Sequence, residues 1–460
     1  MGRTCQPKQR ELFSPTSPRG NAHERAGRGK RSTTASGHEH PANPERLMEE
    51  ICEPANLKRA LRRVMRNKGS PGVDGMTVEK LPIYVWKHWE SLRSNLLRGR
   101  YQPCPVKRVE IPKPSGGMRK LGIPCVLDRF VQQAVLQVLQ RQWDPTFSDC
   151  SYGFRPNRSA HQAVARAQQY IVEGYEYVVD LDLEKFFDRV NHDMLMGKVA
   201  KRVKDKRVLK LIRGFLNAGV LEGGLISPTV EGTPQGGPLS PLLSNLFLDD
   251  LDAELSRRGL RFVRYADDCN VYVRSERAGR RVMENIKRFL TTKLKLKVNT
   301  GKSAVDTPQR RSFLGFSFTK GPTIRRRVSD ASIARLRDKV RELTRRCGGR
   351  SLTMIVRQLR SYLKGWLSYY DFAEAGWNMQ RVEFWLRHRL RCVIWTHWTT
   401  PKKRYAELRK RKVRRVLAAR AASSSKGAWR LSAGLAVQVA LSNVYFSKLG
   451  IPPLTARGNA

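Results

Sequence analysis

Apolar positions fall into successive regimes along the chain. From residue 44 to about 68, Leu47, Ile51, Leu57, Leu61 and Val64 recur at helical spacing until Gly69, Ser70, Pro71 and Gly72 break the pattern, which predicts a small helical region ahead of the main body. Between about 101 and 320, short runs rich in Val, Phe and Tyr alternate with helical stretches; residues 106–112, 177–183, 262–273 and 313–319 read as strands of a mixed α+β body. After about residue 330 the strand signals stop, and residues 332–347, 351–372, 377–398 and 402–422 read as helices. Residues 1–44 hold hardly any aliphatic side chains, so they are expected to form a disordered basic tail that cannot bury enough surface to offset its ordering entropy.

Charge narrows the partner. Lys and Arg number 88 against 40 Asp and Glu in 460 residues, a formal net charge of +48, far beyond what solubility requires, and it points to a polyanion. No run approaches the ~18 apolar residues that span a bilayer, and the N-terminus lacks the apolar stretch of a secretory signal. No membrane partner is expected, and the protein is expected to be soluble and intracellular, in the cytoplasm. The cysteines, Cys5, Cys52, Cys104, Cys125, Cys150, Cys269, Cys347 and Cys392, are scattered singly without zinc-ligand spacing, as reduced thiols would be.

Candidate chemistry centres on carboxylates. In residues 262–273, FVRYADDCNVYV, two β-prone runs flank a small residue and two aspartates, the pattern of a hairpin with Asp267 and Asp268 at its tip. In residues 177–183, YVVDLDL, period-2 alternation puts Asp180 and Asp182 on one face of a strand. If these elements are neighbours, the acids converge as nucleotidyl transfer requires, where two Mg²⁺ ions about 3.5–4 Å apart act on the attacking hydroxyl and the departing pyrophosphate. Alone, a Y-x-D-D turn more often merely caps a hairpin.

Its context carries more. The ordered blocks IPKPSGGMRKLGIP (111–124), SYGFRPNRSAHQAV (151–164), VVDLDLEKFFDRVNHDML (178–195), GTPQGGPLSPLLSN (232–245), FVRYADD (262–268) and FLGFSF (313–318) resemble those of group II intron-encoded reverse transcriptase/maturases. The resemblance covers roughly residues 45–400 and implies a right-hand polymerase, with fingers and palm followed by an all-helical thumb/maturase and a basic DNA-binding region. The implied divisions are a fingers extension over 45–100, fingers and palm over 101–322, thumb/maturase over 323–400 and a basic region over 401–460. By the same resemblance Asp182, Asp267 and Asp268 are the catalytic metal ligands for two Mg²⁺ ions, with Mn²⁺ as a substitute, and Asp180 is structural. Phe187 is similar to the aromatic gate under the incoming sugar, and Gln235 to the glutamine beside the templating pair. Lys113 and Arg119 flank a fingers turn and would close on the triphosphate of a deoxynucleotide. Arg155 and Arg158, ahead of a helix with Ser159 as N-cap, are candidates for template phosphates, and Lys302 matches the block between palm box and FLGFSF.

From residue 323 to 420 Lys and Arg number 27 against 7 acids. Within 351–372 an apolar stripe leaves Arg357, Arg360 and Lys364 together on another face, suited to phosphates. SYLKGWLSYY (361–370) is similar to the family's maturase signature, its aromatics expected in a core, and Arg411, Lys412, Arg414 and Arg415 lie in a run similar to its DNA-binding extension. Residues 423–460 contain neither His nor Cys, a departure from members that end in an H-N-H endonuclease, and the stretch NVYFSKLGIPPL (443–454) resembles that of endonuclease-lacking members. The implied partners are a group II intron RNA, whose splicing the protein assists, and target DNA with a primer, from which it copies the intron. A maturase acting only as an RNA chaperone and a reverse transcriptase recruited to host defence are the alternatives; the full acid, Gln235 and Arg119 set opposes the first and the maturase signature the second.

Overall fold

The computed structural model describes residues 46–112, 117–222, 225–227, 231–232, 236–345, 350–374 and 376–455. The expected tail over 1–44, Lys113 and Gln235 lie outside the described residues. Helices α1 (Leu47–Ile51), α2 (Pro54–Asn67) and α3 (Leu81–Leu97) come first. The single helical stretch read from the pattern is divided at Glu53, because Pro54 opens α2 at a position whose N–H has no helical partner to lose. Helix α3 was not foreseen: Leu81, Val85, Leu92 and Leu96 are its buried stripe, but Ile83 and Trp86, 61% and 68% exposed, blur it.

The central body follows as β1 (Val106–Pro112), β2 (Met118–Ile123), α4 (Val126–Trp143), α5 (Ala160–Val172), β3 (Tyr177–Leu181), α6 (Phe186–Arg189), α7 (His192–Arg202), α8 (Lys206–Asn217), β4 (Val220–Glu222), β5 (Leu225–Ser227), α9 (Ser240–Arg257), β6 (Arg261–Tyr265), β7 (Asp268–Val273), α10 (Glu276–Lys293), β8 (Ala304–Asp306), β9 (Phe316–Phe318) and β10 (Arg326–Val328). One four-stranded sheet has the order β2-β1-β4-β5, with β1 and β4 parallel; a second, β6-β7-β3-β8, is antiparallel throughout, and β9 pairs antiparallel with β10. The expected strand at 313–319 begins late, because Leu314 and Gly315 turn the chain with φ +50 and +82. Ser159 caps α5 in a reciprocal capping box with Gln162, and Asn191 caps α7.

Alternation decides what each face of the second sheet does. Val179, Leu181, Phe262, Cys269, Val271 and Val273 enter the large core shared with α4, α9 and α10. The opposite face carries Val178, Val263 and Tyr272 against Ala163, Val164 and Ala167 of α5, together with Phe316 and Phe318. Helix α10 lies tight on the sheet at Gly279, where a Cβ would stand 2.5 Å from a Val305 methyl.

The remainder is helical, as the loss of strand signals predicts: α11 (Asp330–Leu343), α12 (Leu352–Tyr370), α13 (Trp377–His397), α14 (Pro401–Lys410), α15 (Arg415–Ala422), α16 (Ala428–Ser432), α17 (Leu435–Ala440) and α18 (Asn443–Lys448). They share a core of Leu336, Leu359, Leu363, Leu386, Leu390, Trp395, Leu408, Val413 and Phe446. The helix read over 402–422 is two. Lys412 takes φ +64 and the Val413 N–H donates back to the Leu408 carbonyl at 3.1 Å, a helix-ending turn that drops Val413 into that core.

Candidate active site

Strand register brings the acids together. Asp180 lies opposite Asn270 and Leu181 opposite Cys269, so the next step sets Asp182 against Asp268 on the face that Asp180 shares. Tyr265 pairs with Asp268, leaving Ala266 and Asp267 as the turn between β6 and β7. A groove of 350 Å³ beside them is lined by Asp180, Asp182, Asp268, Lys302, Arg311 and Leu314 among others. Asp182 is held from the segment before β8: its Oδ2 accepts from Asn299 Nδ2 at 2.9 Å, its carbonyl accepts from the Asn299 N–H at 2.8 Å, and its own N–H donates to Ser303 Oγ at 2.9 Å. The Lys302 ammonium stands 3.7 Å from the same Oδ2. Asp180 is engaged by Arg311, which donates at 2.9 and 2.5 Å.

Electrostatics then sets three of these acids above the ordinary carboxylate range. Burial, followed by the charges of Asp267, Asp182 and Asp180, pushes the Asp268 carboxyl up to about 7. Burial and the Asp182 charge also raise Asp267, against the pull of its own backbone N–H and of Arg119 and Arg264. Asp180 is raised by burial in spite of Arg311. Crowded carboxylates suit Mg²⁺, which takes a few of them and completes its shell with waters and phosphates. The three catalytic candidates do not close to within 4.8 Å of one another; among the described residues, Cys104, Cys125 and Asp128 are the acids and thiols that do. That trio was invisible as scattered residues. Its carboxylate already accepts from Tyr101 Oη at 2.7 Å and from the Cys104 N–H at 3.1 Å, while burial raises both thiols.

Around the acids, Arg119 sits exposed on β2 opposite Ile111, and its charge acts on Asp267. Phe187 is half-buried, edge-on to the buried Phe186 with ring centres 5.3 Å apart. Gly232 and Gly236 dock tightly: a Cβ on Gly232 would meet the Phe187 carbonyl oxygen at 2.9 Å, and one on Gly236 the Gly122 carbonyl oxygen at 2.3 Å. Arg158 is partly exposed and bonds Asp149 at 2.6 Å. Arg155 differs from expectation. It is nearly buried, and its guanidinium donates to the Asp144 carboxylate at 2.9 Å and to the Ser148, Ser151 and Asp144 carbonyls, so it ties its own loop together rather than facing template. Arg411 likewise bonds Glu407 and lies over the Trp398 and Tyr445 rings. Arg357, Arg360, Lys364, Lys412, Arg414 and Arg415 are exposed.

Two features escaped the sequence reading. Lys58, Arg59, Arg62, Arg63 and Arg66 cover the outer face of α2, complementary to the apolar stripe that was read there. Arg59, Arg62, Arg63 and Arg66 line a groove of 670 Å³, and Arg63 also lines an adjoining one of 610 Å³ that reaches Gly236, Gly237 and Pro238. The spacing of these arginines was the available signal. The second is Arg264, wholly buried and bonded to the Ala266 carbonyl of the turn.

Known proteins match on the same residues. The family described as "Reverse transcriptase (RNA-dependent DNA polymerase)" matches residues 111–318, and "Group II intron, maturase-specific domain" matches 333–413. Protein YkfC of Escherichia coli (strain K12) is 34% identical over 301 residues, 57% of this chain and 79% of that protein. The group II intron-encoded protein LtrA of Lactococcus lactis subsp. cremoris is 36% identical over 227 residues, 48% of this chain, which spans 36% of LtrA's length. A putative COX1/OXI3 intron 2 protein of Saccharomyces cerevisiae is 32% identical over 46% of this chain and 25% of its own. Among the described residues no helix is long and apolar enough to cross a membrane.

Proposed function

The chain belongs to the reverse transcriptases that carry a group II intron maturase domain and is an RNA-directed DNA polymerase, and from that premise we propose that Asp182, Asp267 and Asp268 hold its catalytic metal ions. The observation that carries this is the register that sets Asp182 against Asp268 beside the Asp267 turn, with Asp268 crowded to about 7. Divalent ions bound there supply activation of the primer 3′-hydroxyl and neutralisation of the leaving pyrophosphate. The protein's own part is positioning. Asn299 and Ser303 aim Asp182, and Arg311 keeps the Asp180 charge occupied below it. Arg119 and Lys113 receive the triphosphate, Phe187 packs under the sugar and excludes a 2′-hydroxyl, and Gln235 lies by the templating pair.

Template RNA runs from the α2 arginines along the two adjoining grooves to the loop of Gly236 and Gly237, with Arg158 as a further phosphate contact. Intron RNA also meets Arg357, Arg360 and Lys364, and target DNA meets Lys412, Arg414 and Arg415. Phosphates supply affinity there while RNA shape supplies selectivity. In this reading the protein assists splicing of a group II intron and copies it from a primed DNA target in a bacterial cytoplasm.

Primer extension on an RNA template with Mg²⁺, alongside RNA binding, tests the assignment. Asp267→Ala is expected to lower cDNA synthesis by at least the 10²–10³-fold typical of losing one aimed electrostatic group, with RNA binding nearly intact. Equal loss of both activities would make Asp267 structural, and no cDNA from the wild type with splicing retained would leave an RNA chaperone.

A further inference from the structure

The catalytic turn stands in a conformation that its residues do not favour. Ala266, between Tyr265 and Asp267, has φ +58, a left-handed backbone that costs an L-residue about 1–2 kcal/mol and persists only where surroundings over-determine it. Those surroundings are a buried bracket. Arg264 is 0% exposed and lies on the face of the sheet opposite the carboxylate groove. Its Nη1 donates to the Ala266 carbonyl at 2.9 Å and to Asn245 Oδ1 at 3.1 Å; its Nε and Nη2 donate to the two oxygens of Asp252, on α9, at 2.7 and 2.5 Å. Asn245 in turn donates to the Gly153 carbonyl at 2.8 Å. Gly153 closes the other side, where a Cβ would stand 2.2 Å from the Ala266 nitrogen, and the Tyr152 N–H donates to the Arg264 carbonyl at 2.9 Å.

A wholly buried ion pair contributes little net stability compared with well-packed apolar side chains of the same size. What an apolar pair cannot supply is a hydrogen-bond donor to the carbonyl that directly precedes Asp267. We propose that Arg264, oriented by Asp252, is a positioning residue for the reaction: its guanidinium grips the Ala266 carbonyl from beneath the sheet and so fixes where Asp267 and Asp268 present their oxygens to the metal ions. Asn245 and Gly153 complete the bracket, coupling the turn to the segment before α5. The inference rests on Asp267 and Asp268 being metal ligands.

Replacing the pair together, Arg264→Met with Asp252→Leu, removes the donor without leaving a buried charge. The full-length variant is assayed for melting temperature, RNA binding, kcat, KM for deoxynucleotide and the Mg²⁺ concentration at half-maximal rate. The expected result is native-like melting and RNA binding, deoxynucleotide KM within about twofold, and a 10–100-fold fall in kcat or rise in the Mg²⁺ midpoint, the range for losing a residue that orients metal ligands. Arg264→Lys with Asp252 retained should recover part of the loss. Unchanged kcat and Mg²⁺ midpoint in the folded double variant, or a fall in activity that only tracks the unfolded fraction, overturns the proposal. If the double variant does not fold, Gly153→Ala decides, since it presses on the Ala266 nitrogen without touching the ion pair: it must raise the Mg²⁺ midpoint, and an unchanged midpoint overturns the proposal equally. Asp267→Ala measured in parallel separates the two failures, because a variant that still makes cDNA breaks the ligand assignment, whereas an inactive one beside an unaffected double variant breaks the bracket alone.

Discussion

If Asp268 is a metal ligand, as proposed, a carboxyl group as crowded as this one takes up a proton and a metal ion in competition. Its pKa without metal is raised to about 7 by burial and by Asp267, Asp182 and Asp180. A raised carboxyl is protonated below that value, and metal binding requires it ionised, so Mg²⁺ affinity must fall as pH drops through 7 and level off above it. Initial rates of cDNA synthesis titrated with Mg²⁺ between pH 5.5 and 8.5 should show a midpoint that rises about tenfold per pH unit on the acid side. A midpoint independent of pH would mean that Asp268 does not exchange a proton for metal. The types and spacing of Asp182, Asp267 and Asp268 were legible because ligand chemistry admits few residues. Arg155 was not: its neighbours in sequence suggested a phosphate contact, and only folding shows its guanidinium spent on Asp144 and three carbonyls.

At the level of elements, the β6-β7-β3-β8 sheet depends on how closely α10 approaches it. Gly279→Ala would put a methyl 2.5 Å from Val305 and 3.3 Å from Val273, both β-branched and stiff. Overpacking of this kind costs about 1–3 kcal/mol, and chemical denaturation should register it as a lower midpoint at constant slope. Adding Val305→Ala vacates the contested space and should return part of the loss; if the double variant is less stable than either single one, the contact is not the cause. Strand and helix identity came largely from periodicity, as β1 and α13 illustrate. Where the chain turned inside a periodic run, at Lys412 or at Leu314 and Gly315, periodicity carried no warning, because the turns exist to bury Val413 and to set β9 beneath α12.

Over the whole molecule, the surplus of cations predicts salt-sensitive binding but does not say which strand meets which surface. Neutralising Arg59, Arg62, Arg63 and Arg66 to Gln should weaken binding of RNA template and flatten the slope of log affinity against log salt by about 3, taking ~0.7 per single-strand phosphate contact. Neutralising Lys412, Arg414 and Arg415 should flatten the slope for duplex DNA, at ~0.9 per contact, and leave the RNA template slope alone. Fluorescence anisotropy across a salt series reads both, and equal effects of either set on both nucleic acids would show one undivided basic surface. The α2 groove emerges only at this scale, since Arg63 lines it together with Gln140 and Pro156, far along the chain.

Sequence by itself determined the class of chemistry, the acids proposed to carry it, the α+β body with its helical sequel, and a nucleic-acid partner. These are properties of residue type and local period, which every copy of the chain carries before it folds. Tertiary structure alone decided the register that sets Asp182 against Asp268, the crowding that lifts Asp268, and the reassignment of Arg155 and Arg411 to internal ties. It also decided the Asp252–Arg264 bracket beneath the turn. Each of those depends on which distant residues share a few ångströms of low-dielectric space, where a hydrogen bond or a like charge weighs most, and that proximity has no trace in local sequence.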